Sequence, residues 1–372
     1  MADHKYGKYD MKKVEEWFSN NNLSRNLQFI NEFEEKFRKI HNAQHTIAIN
    51  NAMTGLRICL LSIGIEQGDE VIVDPIVVFG GLAALTMGAT PVFADVHEDT
   101  FNMRPESMEK LITKKTKAII CTHQFGNICE MEKIKEIADT QNIPIIEDCA
   151  HAILAKRNDQ FAGNFGTFGV FSFNHRKHLS LGQGGMLTIN DENYYDYINN
   201  KLKFGRIPQV KTWNYAMSSL VAAAGITQLN KLEEYIKQDC EFADKYNEAI
   251  KECSWLTAQK VNKENKSSWH IWSAIFTGDE EGIDYGEFME KCRANGADYF
   301  LPSFIPDGFE GITPSPVYKY RLFASELDEM PSCPVAEYIV PRLFNTVLSP
   351  VPSQKTLRYI SCLKKTIEQF EN

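Results

Sequence analysis

Short apolar runs alternate with amphipathic stretches through the first half of the chain. The runs at residues 46–50, 70–75, 90–95, 118–123, 143–148 and 168–173 have the length and bounding turn residues of buried strands. Between them, residues 56–63, 79–87 and 130–140 read as helices, and in the polar stretch 1–45 Phe29, Ile30, Phe33 and Phe37 recur at helical spacing. Buried strands alternating with helices predict a mostly parallel sheet covered on both faces. In such sheets ligands gather at the carboxyl ends of the strands. Asn51, Phe79, Asp148 and Lys177 all stand at or just after such ends. Residues 214–250 form a long helical pattern in which Ala222, Ala223, Ala224 and Gly225 permit close packing. Near residue 250 the character changes: Trp255, Trp269 and Trp272 are scattered, residues 301–316 are rich in Pro and Gly, and a last helix covers about 354–370. The expected division is a large α/β domain over 1–250 and a smaller C-terminal α+β domain over 251–372, with no internal repeat.

Composition narrows the setting. A chain of 372 residues is long for one compact domain, so two fit. The 43% hydrophobic and 24% charged residues are those of a globular protein. A net charge of -9 without a basic block argues against nucleic acid or an anionic membrane as partner. No apolar run approaches the roughly 18 residues of a membrane span. The first residues have no apolar segment of a signal peptide. The nine cysteines include no Cys-x-x-Cys pair, and Cys59, Cys121 and Cys149 sit in apolar runs as small core residues. A reducing cytoplasm is the expected location, and no metal is expected.

Candidate chemistry centres on Lys177. It stands between the buried run 168–173 and the turn glycines Gly182, Gly184 and Gly185. Partial burial lowers a lysine's pKa and frees its amine to attack a carbonyl; the alternative is a surface lysine on a hairpin. Asp148 closes an apolar run, as a strand end, a helix cap or a functional carboxylate. The turn 51–55 opens a helix whose free amides suit an anion. Phe79 is either a core residue or a flat apolar ring for stacking.

The order Ser172-Phe173-x-x-x-Lys177 followed by Gly182-x-Gly184-Gly185 closely resembles the pyridoxal-phosphate lysine segment of the DegT/DnrJ/EryC1/StrS family. These are mainly sugar aminotransferases with the type I, aspartate aminotransferase-like fold. Asp148-Cys149-Ala150-His151 is similar to the family's Asp-x-Ala-Gln/His motif. The resemblance implies that Lys177 holds pyridoxal 5′-phosphate covalently and is the catalytic base and acid. It implies that Asp148 pairs with the ring nitrogen, keeping the ring an electron sink, that His151 lies near the phenolic oxygen, and that Phe79 stacks on the ring. Ser172 is the family's phosphate hydroxyl. The family's Ser/Asn-Gly-Thr turn is Asn51-Ala52-Met53 here: Ala52 still presents backbone amide, Met53 cannot supply a hydroxyl, and Thr54 is the stand-in. The segment from Trp213 resembles the family's Asn-x-Arg-Met-Ser-Glu segment, which implies that Asn214 reaches the phosphate of a neighbouring subunit, in a homodimer with shared active sites. Ala216 replaces the usual arginine and Ser219 the usual acid, which suggests an altered substrate or dimer contact. His175, Arg176 and His178 flank the lysine as candidate substrate contacts. Residues 334–337 and 348–352 resemble the family's closing segments, so the resemblance runs from about 30 to 365.

The implied activity is transfer of an amino group from L-glutamate to a keto sugar, in surface-polysaccharide, lipopolysaccharide or secondary-metabolite sugar biosynthesis. A nucleotide-linked keto-deoxy sugar is the family's commonest acceptor; a free keto sugar, a sugar acid and an aminocyclitol precursor are alternatives. Related sugar dehydratases, which are lyases, carry histidine in place of the lysine. Here Phe173 lies four residues before Lys177 and Gly182 five after it, so both anchors place lysine, not His178, at the key position. A non-enzymatic regulator that keeps the fold is disfavoured by the intact Lys177, Asp148 and Ser172. An unrelated α/β enzyme would leave the ordered motifs as coincidence.

Overall fold

The computed structural model of the chain describes residues 11–19, 27–199, 214–298, 300–302, 315–327, 329–348 and 353–371. Trp213, most of the Pro/Gly-rich stretch and residues 349–352 of the closing segment lie outside the described residues. In chain order the strands are β1 (His45–Ile49), β2 (Glu70–Val73), β3 (Thr90–Phe93), β4 (Thr116–Thr122), β5 (Ile145–Asp148), β6 (Lys156–Arg157), β7 (Gln160–Phe161), β8 (Phe168–Ser172), β9 (Gly185–Ile189), β10 (Leu256–Ala258), β11 (Asn265–Lys266), β12 (Ile271–Phe276), β13 (Leu301–Pro302) and β14 (Leu343–Val347).

A seven-stranded sheet in the order β1-β9-β8-β5-β4-β2-β3 forms the centre. The pairs from β8 through β5, β4 and β2 to β3 are parallel, as the buried apolar runs predict. The exception is β9, antiparallel to both β8 and β1, because the loop carrying Lys177 returns the chain directly. Apolar clusters cover the two faces of the sheet, and the helix Gln28–His41 buries Phe29, Ile30, Phe33 and Phe37. The helix after β1 starts at Ala52, four residues ahead of the predicted 56, because Asn51 caps it: Oδ1 accepts from Thr54 N at 2.9 Å. The helical pattern over 214–250 resolves into two helices, Ser219–Leu229 and Leu232–Ala249. The first packs so tightly on the helix Gln28–His41 that a Cβ on Gly225 would lie 2.6 Å from the Phe33 ring. Beyond them an antiparallel sheet, β10-β12-β14-β13, packs with the helices Tyr285–Ala294 and Ser353–Glu371 around a separate aromatic core. β11 pairs with β6, and Val335 and Ala336 donate backbone N–H bonds to Asp95, so the later part of the chain is fastened to the first. Among the described residues no helix is long and apolar enough to cross a membrane.

Behind the sheet's carboxyl edge lies a buried polar knot that the sequence did not announce. Glu147 is fully buried, and its carboxylate accepts from the backbone of Gly163, Phe165 and Gly166 at 2.7–2.9 Å. The His123 Nε2 lies 2.9 Å from the same carboxylate, and His123 Nδ1 accepts from Cys129 N at 3.3 Å. His123, Glu147 and Cys149 are close enough to hold a metal ion, but these bonds already occupy the imidazole and both carboxylate oxygens. The knot therefore reads as structural. Glu147→Ala, which strands four donors in a buried site, is expected to destabilise the protein by about 3–5 kcal/mol, whereas a chelator leaves the unfolding midpoint of the native protein in place. Thermal unfolding checks both; a variant melting within a degree of native contradicts this reading.

Candidate active site

The carboxyl ends of β2, β4, β5 and β8 converge on one edge of the sheet. Asp74, just after β2, is buried and accepts from the amides of Ile76 and Val77, from Thr122 Oγ1 and from Gln124 Nε2 at 2.6–2.9 Å. These bonds turn the chain into the helix Val78–Thr86, which carries half-buried Phe79 as its second residue. Asp148, the last residue of β5, is 2% exposed and accepts from Ala150 N at 3.0 Å. Burial pushes its carboxyl up to about 6; the Ala150 amide and the Lys177 amine oppose that rise, and nearby Asp74 adds to it. His151, three residues on, is also buried, and burial with the cationic Lys177 holds its imidazole well below the usual histidine range.

Lys177 lies on the loop between β8 and β9. The loop is clamped at its base by Phe173 N to Gly184 O and Leu181 N to Phe173 O, both 2.9 Å, and by His175 N to Gly182 O at 3.1 Å. Gly182 has φ 78, where a side chain would be strained. Lys177 N donates to Asn174 O at 2.9 Å. Burial brings the Lys177 amine down to about 8, the Asp148 carboxylate pulls it back up and Arg176 lowers it further. Its Nζ stands 3.3 Å from His270 Nε2.

Half-buried Ser172 ends β8, in register with Gly185 on β9. A Cβ on Gly185 would lie 3.1 Å from Asn51 C and 3.2 Å from Ala52 N, so glycine here lets the N-terminus of the helix Ala52–Ile63 sit directly on β9. Helix geometry leaves the Ala52 and Met53 amides without intrahelical partners, and Thr54 N is taken by Asn51. Ala52, Met53 and Thr54 are half-buried beside Ser172's strand. Asn214 is exposed, and its Oδ1 accepts from Ala216 N at 3.1 Å. The next residue, Tyr215, accepts from Asn50 N at 2.9 Å, which ties this segment to the same helix start. His175 is exposed and Arg176 half-buried. His178 turns inward: it is 1% exposed, with Nε2 3.0 Å from Ser268 O and 3.3 Å from Asp239 Oδ2.

The residue that sequence reading passed over is His270. It is buried just ahead of β12, its ring 4.9 Å from that of His151 and 5.4 Å from that of His178. Only a lone histidine after Trp269 marked it, and its contact with Lys177 spans 93 positions.

Because the Asp148 carboxylate favours the charged form of the amine, Asp148→Asn is expected to lower the apparent pKa of Lys177 below the native value of about 8. The check is the pH dependence of trinitrobenzenesulfonate labelling at Lys177 in the cofactor-free protein; a midpoint that stays or rises contradicts it.

Comparison with known proteins identifies the family and the fold. The DegT/DnrJ/EryC1/StrS aminotransferase family matches residues 5–360. The chain is 35% identical over 257 residues to GDP-perosamine synthase of Escherichia coli O157:H7, covering 67% of this chain and 69% of that protein. It is 31% identical to the spore coat polysaccharide biosynthesis protein SpsC of Bacillus subtilis, covering 80% and 82%. In fold it is similar to an aminotransferase from Psychrobacter cryohalolentis (TM-score 0.87, 23% identity, 99% and 98% of the two chains). It is likewise similar to DesV of S. venezuelae (TM-score 0.85, 24% identity, 96% and 94%). The type I architecture expected from the motifs is thus the one the chain adopts, and the protein is an aminotransferase of the DegT/DnrJ/EryC1/StrS family.

Proposed function

We propose that the protein uses pyridoxal 5′-phosphate to move an amino group from L-glutamate to a nucleotide-linked keto sugar, in the biosynthesis of a surface polysaccharide. The observation that carries this reading is half-buried Lys177, its amine brought toward neutrality by desolvation, with buried Asp148 acting on it at the carboxyl edge of the sheet. The nucleotide-linked acceptor is supported by relatives named GDP-perosamine synthase, and the polysaccharide setting by SpsC.

The residues fit the cofactor. The helix start that Gly185 admits beside Ser172 is a cradle for a phosphate: amides of Ala52 and Met53, with the hydroxyls of Ser172 and Thr54 in reach. Asp148 suits a protonated ring nitrogen, Phe79 offers a flat apolar face, and His151 would lie toward the ring's oxygen. Asn214, exposed on the same segment, is assigned to the partner's phosphate in a homodimer with shared sites, in the cytoplasm. Pyridoxal 5′-phosphate, when bound, supplies a sink for the electron pair left when a proton departs the donor's α-carbon. Lys177 Nζ is the base that takes that proton, and its lowered pKa places its free form within reach near neutral pH. Asp148 stays ionised above about pH 6 and holds the opposing positive charge. Buried His151 and half-buried Phe79 border the site, and exposed His175 and half-buried Arg176 on the loop are the proposed acceptor contacts.

Purified protein supplied with the cofactor is expected to show a visible absorption band that bleaches with L-glutamate. Lys177→Ala is expected to lack that band and to lose turnover by roughly 10²–10⁴-fold or more. A band indifferent to every amino donor, or none at all, overturns the reading. Mass spectrometry of nucleotide keto sugars incubated with the enzyme then tests the acceptor by the gain of one amino group.

A further inference from the structure

His270 reaches the site on residues 267–270, the link between β11 and β12, and that link is gripped from several sides. Ser268 N donates to Gly126 O at 3.2 Å and Ser268 Oγ to His151 O at 3.0 Å. Trp269 N donates to Ser267 Oγ at 3.1 Å, and Leu348 N donates to His270 O at 3.2 Å. Trp269 is held at φ 50, a strained backbone for a bulky residue. A Cβ on Gly126 would lie 2.6 Å from Trp269 N, so only glycine admits this approach. Strain that persists under so many contacts marks a segment whose position is fixed by its surroundings. What the segment delivers is the His270 Nε2, 3.3 Å from Lys177 Nζ.

We infer that His270 is a positioning residue for Lys177, holding the reactive amine through a hydrogen bond between His270 Nε2 and Lys177 Nζ. The inference rests on Lys177 as the reactive amine proposed above. It gives the link into the second sheet a part in the site: the group that steadies the lysine comes from 93 positions further along the chain, directly ahead of β12. The charged and titratable groups around the pair are Asp148 from the end of β5, Arg176 beside the lysine, and His151 and His178 flanking the His270 ring. Asp74 faces Asp148, and Asp239 from the helix Leu232–Ala249 faces His178. None of these is altered by substituting His270 alone.

The experiment follows trinitrobenzenesulfonate labelling of Lys177 by peptide mass spectrometry, in the full-length protein freed of bound cofactor, from about pH 6 to 10. His270→Leu removes the bond, His270→Asn keeps polarity but is too short to reach, and His270→Gln offers both a donor and an acceptor near the Nε2 position. The leucine and asparagine variants are expected to move the labelling midpoint by about one pH unit, a tenfold change in rate at fixed pH on the rising limb; glutamine is expected to keep the native profile. Native profiles in the leucine and asparagine variants overturn the inference, as does a glutamine variant that shifts as far as they do. Should the leucine variant fail to fold, the asparagine–glutamine contrast still decides. In parallel the native protein receives pyridoxal 5′-phosphate. A visible band with coincident labelling profiles defeats the role of His270 alone. No band defeats the proposed function and leaves the labelling comparison standing.

Discussion

A half-buried amine and a buried carboxylate, set close enough to act on one another, set the terms for the rest of the molecule. Burial disfavours the charged form of each, and their mutual attraction favours it. For both groups burial is the larger effect: Lys177 falls to about 8 although Asp148 pulls it up, and Asp148 rises to about 6 although Lys177 pulls it down. The two values approach one another across neutral pH. That leaves an ionised carboxylate beside an amine that gives up its proton readily, which is the state a proton-transferring lysine needs.

Holding such a pair requires a scaffold that does not yield. The parallel strands bring Asp74, Thr122, Asp148 and Ser172 to one edge. Directly behind them, the Glu147–His123 knot fixes β5 to the turns at residues 163–166 with a full set of bonds. Gly185 lets the capped helix at Ala52 lie on β9. Polar bridges then join the later part of the chain to the first: Gln259 Nε2 donates to Thr100 O and Gln124 O, and Asn265 Nδ2 donates to Asn127 Oδ1 and Ile128 O. These bridges explain how a histidine carried ahead of β12 arrives within hydrogen-bond reach of a lysine on the loop between β8 and β9.

The parallel strands of the central sheet were legible because most of their residues are buried and so appear as short apolar runs, whereas β9, following the glycine turn, was not among the predicted runs. Their observed ends fall within a few residues of the predicted ones, as at β5, Ile145–Asp148, against 143–148. Helix starts were less legible. Asn51 moves one start to Ala52 through a side-chain cap, and the break at Asn230 and Lys231 carries no proline or glycine to betray it. Lys177 was singled out by the glycines that shape its loop, and Asp148 by its place at a strand end. His270, Asp74 and Glu147 were not, because their roles arise from contacts across distant segments and their local patterns are those of ordinary buried polar residues. His178, adjacent to the lysine in sequence, faces Asp239 and Ser268 instead of the open site, a direction set by the clamped loop and invisible in spacing.

The amine proposed to take the cofactor is that of Lys177. The direct measurement is to incubate the protein with pyridoxal 5′-phosphate, reduce it with borohydride and locate the adduct by peptide mass spectrometry. The account predicts one phosphopyridoxyl group per chain, on the peptide that holds Lys177. An adduct spread over exposed lysines with Lys177 unmodified would contradict it.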